Sequence, residues 1–565
     1  MMRSLPSGPQ RVLGSPRDGA AYRRAAPRPQ PRRRCAARAA AAPPPPQQPP
    51  QPRPPAPQQA PGLPFLGSFS FFNLPQRYAL WAQLMRERGI DAMQIELLGR
   101  KAYVIRSPES VGRIIRQTDK FPKSKTEGLS RLEEWLGDGL VTQASPELHA
   151  AMRDVLAPAF KAASIKGFVP AFAKSGEEVA DFLASLGGRE YDIEPLCRRV
   201  TLDVIGRTMF GFDFGAVALE AAAAAGTTEG GSGNSSSSGS GSSSSGNGGS
   251  STSSNSSSSG GGGKVDVVGA LDGIFGAAVV LMAAGALPTA LVPGIQAYRR
   301  GISTIDGVID SMLRERREKG LKEEDTDLLS FMLRAQQQGN ALVTDKQLRD
   351  ELQTMVLAGS DTTAGTLAFA LHELAARPQL LARCQAEADA ALGDGPAGAL
   401  PAEAFQRLAL ISGAANETLR LHSAVPMLTR VCLEESVLGG CTVPAGAYVF
   451  ASFHALHRHE AHWPRADEWL PERWLPQNAA ELAPHADVAF LPFSSGPRAC
   501  IGRFFAGLEL SVLLAVLLRR LDFFPAGGGG GAPLRTRQKF TLASADGVRV
   551  VARPRARGGG APAAR

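Results

Sequence analysis

The stretch that decides the fold reads "FSSGPRACIGR" and spans residues 493–503, near the C-terminal end of the chain. Its cysteine, Cys500, follows Gly496 by four positions and Arg498 by two, and Gly502 comes two positions later. A glycine before the cysteine permits a tight turn with positive φ. The apolar run that follows predicts a helix whose dipole favours a negative sulfur. The pattern therefore predicts a thiolate that binds a metal, with a buried structural cysteine as the alternative.

The longest helical pattern begins at Thr344 and reads "TDKQLRDELQTMVLAGSDTTAGTLAFALHELAARP". Thr344 and Gln347 fit a capping box and Pro378 ends the helix, so about 30 residues form a rod of roughly 48 Å. In its middle, Gly-Ser-Asp-Thr-Thr are weak helix formers that open the hydrogen-bond ladder and leave a groove. Asp361 beside Thr362 gives an acid and an alcohol suited to passing protons inward. The alternative is a helix kinked for packing.

A third motif is "ETLR", in which Glu417 and Arg420 lie three positions apart and so on one helix face. If this pair is buried, it needs a further partner to offset the cost of desolvation. Arg473 in "LPERW" is the candidate for that partner. The alternative is an ordinary solvent-facing helix pair.

The rest of the pattern is mainly helical with a minor β part. Residues 91–108 alternate in polarity around Gly99 and predict a β-hairpin, and residues 437–453 predict a second strand pair. Most other segments have the helical period.

The composition limits the partners of the protein. The 565 residues carry a formal net charge of +9, but residues 1–60 contain eleven arginines and one acidic residue, Asp18, which leaves the rest of the chain at −1. A nucleic-acid partner is therefore not expected, since it would need basic residues clustered on a folded surface. The six cysteines form no C-x-x-C pair, which argues against a disulfide framework and favours a reducing compartment.

Three segments have unusual composition. Residues 1–60 are rich in Arg and Pro and lack the apolar core of a secretory signal, which predicts an organelle transit peptide or, alternatively, a plain disordered tail. Residues 226–263 are mostly Gly and Ser and predict a flexible insertion. Residues 273–295 carry no charge and reach the length of a membrane span. Pro288 and Pro293 interrupt them, which favours a buried or membrane-grazing helix and loop.

Together these motifs resemble those of the cytochrome P450 family. "FSSGPRACIG" has every fixed residue of the family's haem-binding loop F-x-x-G-x-R-x-C-x-G, and "AGSDTT" resembles its A-G-x-D-T-T motif. "ETLR" resembles the family's E-x-x-R, and "PERW" its P-E-R-F with Trp474 in place of Phe. All four occur in the family's order, and the resemblance covers roughly residues 61–553.

The resemblance implies a fold and a division of the chain. The fold is one large helical domain with a long central helix and small β-sheets. Residues 1–60 would be a disordered tail, residues 61–553 the catalytic domain with the insertion at 226–263, and residues 554–565 a disordered C-terminal tail.

The resemblance also implies a haem b whose iron takes Cys500 as its thiolate ligand. The other cofactor-binding residues that it implies are Phe493, Gly496, Arg498, Gly502, Arg430, Arg153 and His149. The three arginines match the family's partners of the haem propionates. His149 stands where the family's W-x-x-x-R has Trp, and its N–H would take over that hydrogen bond.

By the same resemblance, Asp361 and Thr362 deliver protons during oxygen activation, and Glu417, Arg420 and Arg473 form a structural triad. The reaction would insert one oxygen atom of O₂ into a hydrophobic small molecule such as a terpenoid, carotenoid, sterol or fatty acid. The alternative is a haem-thiolate isomerase or dehydratase that acts on lipid peroxides without O₂. The acid–alcohol pair favours the monooxygenase, because the rearrangement needs no proton delivery.

The resemblance implies a separate electron donor, since no flavin or ferredoxin module is recognised in the chain. The donor would be a ferredoxin in a plastid or a flavoprotein reductase at the endoplasmic reticulum. The transit-like tail predicts a chloroplast, with a mitochondrion as the alternative; the endoplasmic reticulum is disfavoured because the tail has no membrane anchor. Residues 267–295 are the candidate for a peripheral membrane contact. Substrate contacts are expected from residues 125–148, 267–295, 425–428 and 541–547.

Overall fold

A computed structural model describes residues 54–61, 76–97, 100–124, 132–226, 265–283, 288–393, 395–528 and 533–555. Most of the predicted N-terminal tail, nearly all of the predicted Gly/Ser insertion, the turn at Gly99 and residues 556–565 lie outside the described residues. The division into tail, catalytic domain and insertion therefore stays a prediction.

Helices account for most of the described residues, which confirms the mainly α fold class. In chain order they are α1 Arg77–Glu87, α2 Pro108–Arg116, α3 Glu133–Leu136, α4 Pro146–Leu156, α5 Ala162–Lys166, α6 Val169–Ser185, α7 Ile193–Ile205, α8 Ala216–Gly226, α9 Val267–Ala283, α10 Ile295–Lys319, α11 Leu328–Gln337, α12 Asp345–Ala375, α13 Pro378–Leu392, α14 Ala402–Gln406, α15 Ala409–Leu421, α16 Phe453–Leu456, α17 Pro476–Leu482, α18 Ala486–Ala489 and α19 Arg503–Arg520.

The predicted long helix is α12. It has 31 residues, and the Thr344 side chain caps it by accepting from the backbone N–H of Gln347 at 3.1 Å. The predicted opening in its middle is wrong, because the helix is continuous from Asp345 to Ala375. The hydroxyls of Ser360 and Thr362 instead donate to the carbonyl oxygens four residues earlier, which satisfies them without breaking the ladder.

The largest sheet has the strand order β1-β2-β3-β8-β5, where β1 is Gln58–Gln59, β2 Ala92–Leu97, β3 Arg100–Ile105, β5 Met427–Val431 and β8 Tyr448–Ser452. The predicted hairpin is confirmed: β2 and β3 pair antiparallel, with Ala92 opposite Ile105. The short β1 pairs parallel with β2, so strand pairing begins inside the segment that was predicted as tail.

The segment predicted as a second strand pair, residues 437–453, belongs to three strands rather than two. Ser436–Leu438 (β6) and Cys441–Val443 (β7) form a hairpin, and β8 joins the main sheet beside β3 and β5. The hairpin turns through Gly439 and Gly440, which both have positive φ. Gly446, with φ 80°, then redirects the chain toward the main sheet.

A smaller sheet lies near the C-terminus. Glu190–Asp192 (β4), Arg549–Pro554 (β12) and Leu521–Pro525 (β9) pair antiparallel in that order, and Thr536–Gln538 (β10) forms a hairpin with Leu542–Ser544 (β11). The β10–β11 hairpin reaches the core, where the Leu542 N–H donates to Ala424 O at 3.0 Å. The sheet includes Pro554, the first residue of the predicted C-terminal tail.

The main hydrophobic core surrounds α12 and α19. Every residue of α19 from Leu508 to Arg519 is buried, and α6, α13 and α15 pack against it. The uncharged segment at 273–295 forms the end of the mostly buried α9 and an exposed turn, in which Leu291 is 67% exposed. Among the described residues no single helix is long and apolar enough to cross a membrane, while one bent pair, Pro146–Phe160 with Ala162–Ser185, meets the length and composition limits.

Candidate functional site

The cysteine loop is held by a glycine in the left-handed region. Gly496 has φ 73°, and a Cβ there would lie 3.1 Å from both Cα and Cγ of Arg116. A side chain at this position would therefore meet both backbone strain and the adjacent end of α2. The loop closes when the Cys500 N–H donates to the carbonyl oxygen of Phe493 at 2.9 Å.

Cys500 lies two residues before Gly502, the N-cap of α19. The Cys500 side chain is exposed, but the protein atoms packed around it desolvate the thiol and raise its pKa, while a hydrogen bond from the Gly502 backbone and the charges of Arg153 and Arg503 act in the opposite direction. A Cβ on Gly502 would lie 3.9 Å from Cys500 Sγ and 3.8 Å from Phe160. Because Cys500 itself is exposed, its sulfur is accessible to a bound group.

Four basic side chains converge beside this loop, and we call them the cation cluster: Lys123, Arg153, Arg430 and Arg498. They come from the loop after α2, from α4, from β5 and from the turn before Cys500. Their hydrogen bonds go to the carbonyl oxygens of Val141, Ala499, Thr429, Gln143 and Ala144. Among the described residues, no carboxylate forms an ion pair with any of the four.

Burial, with a smaller contribution from neighbouring cations, lowers the pKa values of Lys123, Arg430 and His149. Burial lowers the pKa of Lys123 to about 7, and Arg498 and Arg430 add to the effect. Burial also lowers the pKa of Arg430 to about 10, again with help from Arg498. For His149, burial and three of these cations lower the pKa to about 3, so the ring is neutral and keeps one N–H donor.

This arrangement fits a bound dianion. Four buried or half-buried cations without a carboxylate are unfavourable in a bare protein, and two carboxylates placed among them would offset the repulsion. A haem carries two propionates, and the accessible Cys500 lies beside the cluster. Sequence reasoning missed Lys123, because no local pattern marks a lysine whose cationic neighbours come from distant segments.

The predicted triad forms a second group of charges, which we call the Glu417 cluster: Glu417, Arg420 and Arg473. All three side chains are fully buried. Glu417 pairs with Arg420 through two bonds of 2.8 and 2.9 Å and with Arg473 at 3.2 Å. It also accepts from the Leu470 N–H and from Trp474 Nε1, each at 3.0 Å.

The Glu417 cluster satisfies its own donors. The remaining N–H groups of Arg420 donate to the carbonyl oxygens of His457, Ala466 and Glu468. The ring of Trp463 lies 5.3 Å from the Arg420 guanidinium and 5.8 Å from that of Arg473. The structure thus brings the three predicted residues together, and it adds Trp474, which uses an indole N–H where Phe would have none.

Asp361 lies on α12 and is 5% exposed. Its carboxylate is 3.2 Å from Arg198 Nε and accepts from the hydroxyl of Thr541. Burial raises the pKa of Asp361, and Arg198 and Thr541 oppose the rise. The neighbouring Thr362 is half-buried, and its hydroxyl donates to Ala358 O at 2.7 Å.

Comparison with known proteins places this geometry in a family. The family model described as "Cytochrome P450" matches residues 57–224 and 281–546, more than half of the chain. "Protein LUTEIN DEFICIENT 5, chloroplastic" from Arabidopsis thaliana is 25% identical over 455 residues, 80% of this chain and 70% of that protein. "Cyclooctat-9-en-7-ol 5-monooxygenase" from Streptomyces melanosporofaciens is 28% identical over 445 residues, 78% of this chain and 83% of that protein.

A solved structure agrees in fold. The crystal structure of the cytochrome P450DA haem domain matches with a TM-score of 0.72 and 24% identity, and the match covers 89% of this chain and 99% of that one. The family and the fold imply haem with cysteine thiolate ligation. The chain therefore belongs to the cytochrome P450 family of haem-thiolate monooxygenases.

Proposed function

We propose that this cytochrome P450 uses Cys500 as its thiolate ligand and oxidises a hydrophobic isoprenoid, of terpenoid or carotenoid type. The observation that carries the assignment of the site is the cation cluster, which lies beside Cys500 without a carboxylate partner among the described residues. Lys123, Arg430 and Arg498 would hold the two propionates. Arg153 and the neutral His149 would approach from α4.

When bound, haem supplies the site for O₂ and the redox chemistry of the reaction. In the overall reaction, RH + O₂ + 2e⁻ + 2H⁺ gives ROH + H₂O, so two protons and two electrons must be delivered for each product. A separate electron-donor protein supplies the electrons. The protein itself must therefore supply a proton path that excludes bulk water.

Asp361 and Thr362 are the proposed end of that path. Burial raises the pKa of Asp361, which favours a carboxyl that takes up a proton and gives it away again. Thr362 follows it on α12, and its hydroxyl is bound to Ala358 O. When it turns away from that carbonyl, the same hydroxyl can hold a water or donate a proton.

Two of the predicted substrate segments, 125–148 and 267–295, are in contact through Trp135 and Phe275, and Phe540 lies one residue before a third segment, 541–547. The rings of Phe275 on α9 and Phe540 stack with centroids 5.6 Å apart, and Trp135 on α3 meets Phe275 edge-on at 6.1 Å. Aromatic faces suit unsaturated hydrocarbon chains and rings. One relative's name mentions lutein, a carotenoid, and the other names an unsaturated alcohol, so both names agree with an isoprenoid substrate.

We propose a chloroplast location with a ferredoxin as electron donor. The Arg-rich segment at residues 1–60 has the composition of a transit peptide, and one relative's name includes the word chloroplastic. A fluorescent fusion of residues 1–60 tests the location. Import into chloroplasts is the expected result, and a cytosolic or mitochondrial signal would contradict it.

The ligand assignment is tested by a spectrum of the purified, reduced protein under carbon monoxide. The wild type should show the red-shifted Soret band of a thiolate-ligated haem, and Cys500→Ala should lose it. Cys384→Ala is the matched control, because Cys384 is a buried thiol on α13 and not part of the loop. A Cys500→Ala variant that keeps the band would rule out Cys500 as the ligand.

The reaction class is tested with ¹⁸O₂. The protein is incubated with a ferredoxin, its reductase and a panel of terpenoids, carotenoids, sterols and fatty acids, after a screen for spin-state shifts of the Soret band. One ¹⁸O atom per product molecule supports the monooxygenase. Products formed from lipid peroxides without O₂ or electrons would instead support the isomerase or dehydratase.

A further inference from the structure

The chain is tied to a buried histidine just before it enters the cysteine loop. Leu491, two residues before Phe493, donates its backbone N–H to His457 Nε2 at 2.9 Å. His457 directly follows α16 and is 0% exposed. The carbonyl oxygen of the same Leu491 accepts from the Ser494 N–H at 3.0 Å. Leu491 therefore connects a side chain outside the loop to a turn at the start of the loop.

The hydrogen bonds of His457 fix which of its ring nitrogens carries the proton. Nδ1 is 2.9 Å from Ser423 Oγ, and the Ser423 hydroxyl donates its one proton to Leu419 O at 2.8 Å. Ser423 Oγ therefore accepts from Nδ1–H, which leaves Nε2 as the acceptor that the Leu491 N–H needs. Burial, with two nearby arginines, lowers the pKa of His457 to about 3. The ring thus stays neutral and keeps this tautomer.

The position of the His457 ring is itself restricted. Phe453 stacks on the ring with centroids 6.1 Å apart, and Phe490, the residue before Leu491, lies 5.6 Å away. The backbone carbonyl oxygen of His457 accepts from Arg420 Nη1 at 2.8 Å. Because these contacts hold the ring in place, they also fix where the Leu491 N–H can bind it.

The turn that follows Leu491 contains a strained residue. Ser494 has φ 59°, in the left-handed region, where a side chain is unfavourable. Such a conformation persists only where the surrounding contacts over-determine it. Here those contacts include the bond from the Ser494 N–H to Leu491 O and the bond from Leu491 to His457. Phe493, directly before Ser494, accepts from the Cys500 N–H at 2.9 Å, so a relaxed turn would move the acceptor of the Cys500 backbone.

We propose that His457 is a positioning residue for the Cys500 thiolate: it holds the strained turn at Ser494 and thereby sets the place of the sulfur. The proposal rests on the proposed role of Cys500 as the haem ligand. His457 acts through the backbone of Leu491 and Phe493. Its contribution is a neutral acceptor at a fixed point, and it exchanges no proton.

The two ring nitrogens can be tested separately. His457→Gln places a carbonyl oxygen near the position of Nε2, so it can still accept from Leu491 but gives up the bond to Ser423. His457→Asn places an amide N–H near the position of Nδ1, so it can still donate to Ser423 but leaves the Leu491 N–H without its acceptor. Both variants lose the ring. Their difference therefore reports the bond to the loop rather than the lost packing.

The experiment follows the red-shifted Soret band of the reduced, haem-loaded full-length protein under carbon monoxide, together with total bound haem and far-UV circular dichroism. His457→Asn should lose the band about tenfold faster than the wild type, before bound haem and helix content fall, because an unpaired backbone donor relaxes the turn. His457→Gln should stay within about threefold of the wild type.

His454→Asn is the control for the loss of a buried histidine. His454 lies on α16 and is 4% exposed, but its Nδ1 is 3.3 Å from Arg458 Nη1 and its ring faces Tyr78 at 6.3 Å. The rate at which the band is lost should therefore not change in this variant. A loss as fast as that of His457→Asn would mean that any buried histidine of this segment has the same effect, which would overturn the inference.

A rescue variant tests the route through the strained turn. Ser494→Gly removes the cost of the positive φ, so in the His457→Asn background it should slow the loss of the band toward the wild-type rate. Equal rates in His457→Asn and His457→Gln would overturn the inference, as would a His457→Asn effect that Ser494→Gly leaves unchanged.

If His457→Asn takes up no haem, amide hydrogen exchange at residues 491–494 of the haem-free proteins decides. Faster exchange in His457→Asn than in His457→Gln supports the inference, and equal exchange overturns it. A haem-loaded wild type without the red-shifted band would instead refute the proposed function itself.

Discussion

The two arginine-rich clusters of this protein differ in how their positive charges are balanced. In the Glu417 cluster, two arginines share one carboxylate, and their other donors reach carbonyl oxygens and the ring of Trp463. In the cation cluster, four basic groups lie together and bond only to carbonyl oxygens within the described part of the chain. The Glu417 cluster is fully buried, and the cation cluster has one buried and three half-buried members.

The difference shows how a structural cluster can be told from a binding site. A buried charge that is paired with an opposite charge of the same chain is part of the folded structure. Removing one partner leaves the other buried and unpaired, so the fold then bears the full desolvation cost of that charge. A buried charge without a counter-charge destabilises the fold until a ligand brings one. The Glu417 cluster should therefore govern stability, and the cation cluster should govern retention of haem.

The largest effect is expected from Glu417→Gln. The variant leaves two buried guanidinium groups without a carboxylate, and it should lose about 3–5 kcal/mol of unfolding free energy. Thermal and urea unfolding measure the loss.

The matched control for that variant is Glu468→Gln. Arg465 and Glu468 are also three residues apart, but both are more than half exposed, and solvent screens such pairs so that they add little to stability. Equal losses in the two variants would mean that the buried cluster has no special structural role.

Arg430→Gln is expected to weaken haem binding without destabilising the haem-free protein. It should speed the transfer of haem to apomyoglobin by about tenfold, because one charged partner of a propionate is lost. The haem-free protein should be no less stable than the wild type, since the repulsion from Arg498 is relieved. Arg535→Gln, at an exposed ion pair, is the control, and a haem-free Arg430→Gln protein that unfolds more readily would place Arg430 among the structural arginines.

Lys123 should make the unfolding free energy of the haem-free protein depend on pH. Its pKa is about 7 in the fold, against an ordinary value of 10.5 for lysine, so the unfolded chain binds the proton more tightly. The unfolding free energy of the haem-free protein should therefore rise from pH 7 to 10.5, by at most about 1.4 kcal/mol per pH unit from this group. Lys123→Met should remove that slope, and an unchanged slope would show that Lys123 is not buried as described.

The smallest effect is expected from Trp474→Phe, which restores the residue of the family's motif. It removes the Nε1 hydrogen bond to Glu417 and should cost about 1–2 kcal/mol. Because Leu470 N–H and the two arginines still bind Glu417, haem retention should not change. Faster haem loss without loss of stability would link this residue to the cofactor rather than to the Glu417 cluster.

The sequence predicted the features that depend on neighbours along the chain. The hairpin at β2–β3 follows from alternation around a glycine, and the start of α12 follows from the Thr344 cap. Glu417 and Arg420 share a face because they lie three residues apart on a helix. The continuity of α12 through Gly-Ser-Asp-Thr-Thr was not predicted, because propensity is weak and packing on both sides outweighs it.

By itself, the sequence determined the cysteine loop, the family and the order of the motifs, since each is a local pattern with a fixed spacing. Only the tertiary structure decided which charges are satisfied. Arg198 lies 163 positions before Asp361, and the members of the cation cluster come from four separate segments. Coulomb interactions and desolvation depend on distance in space and on burial, and neither can be read from the spacing of residues along the chain.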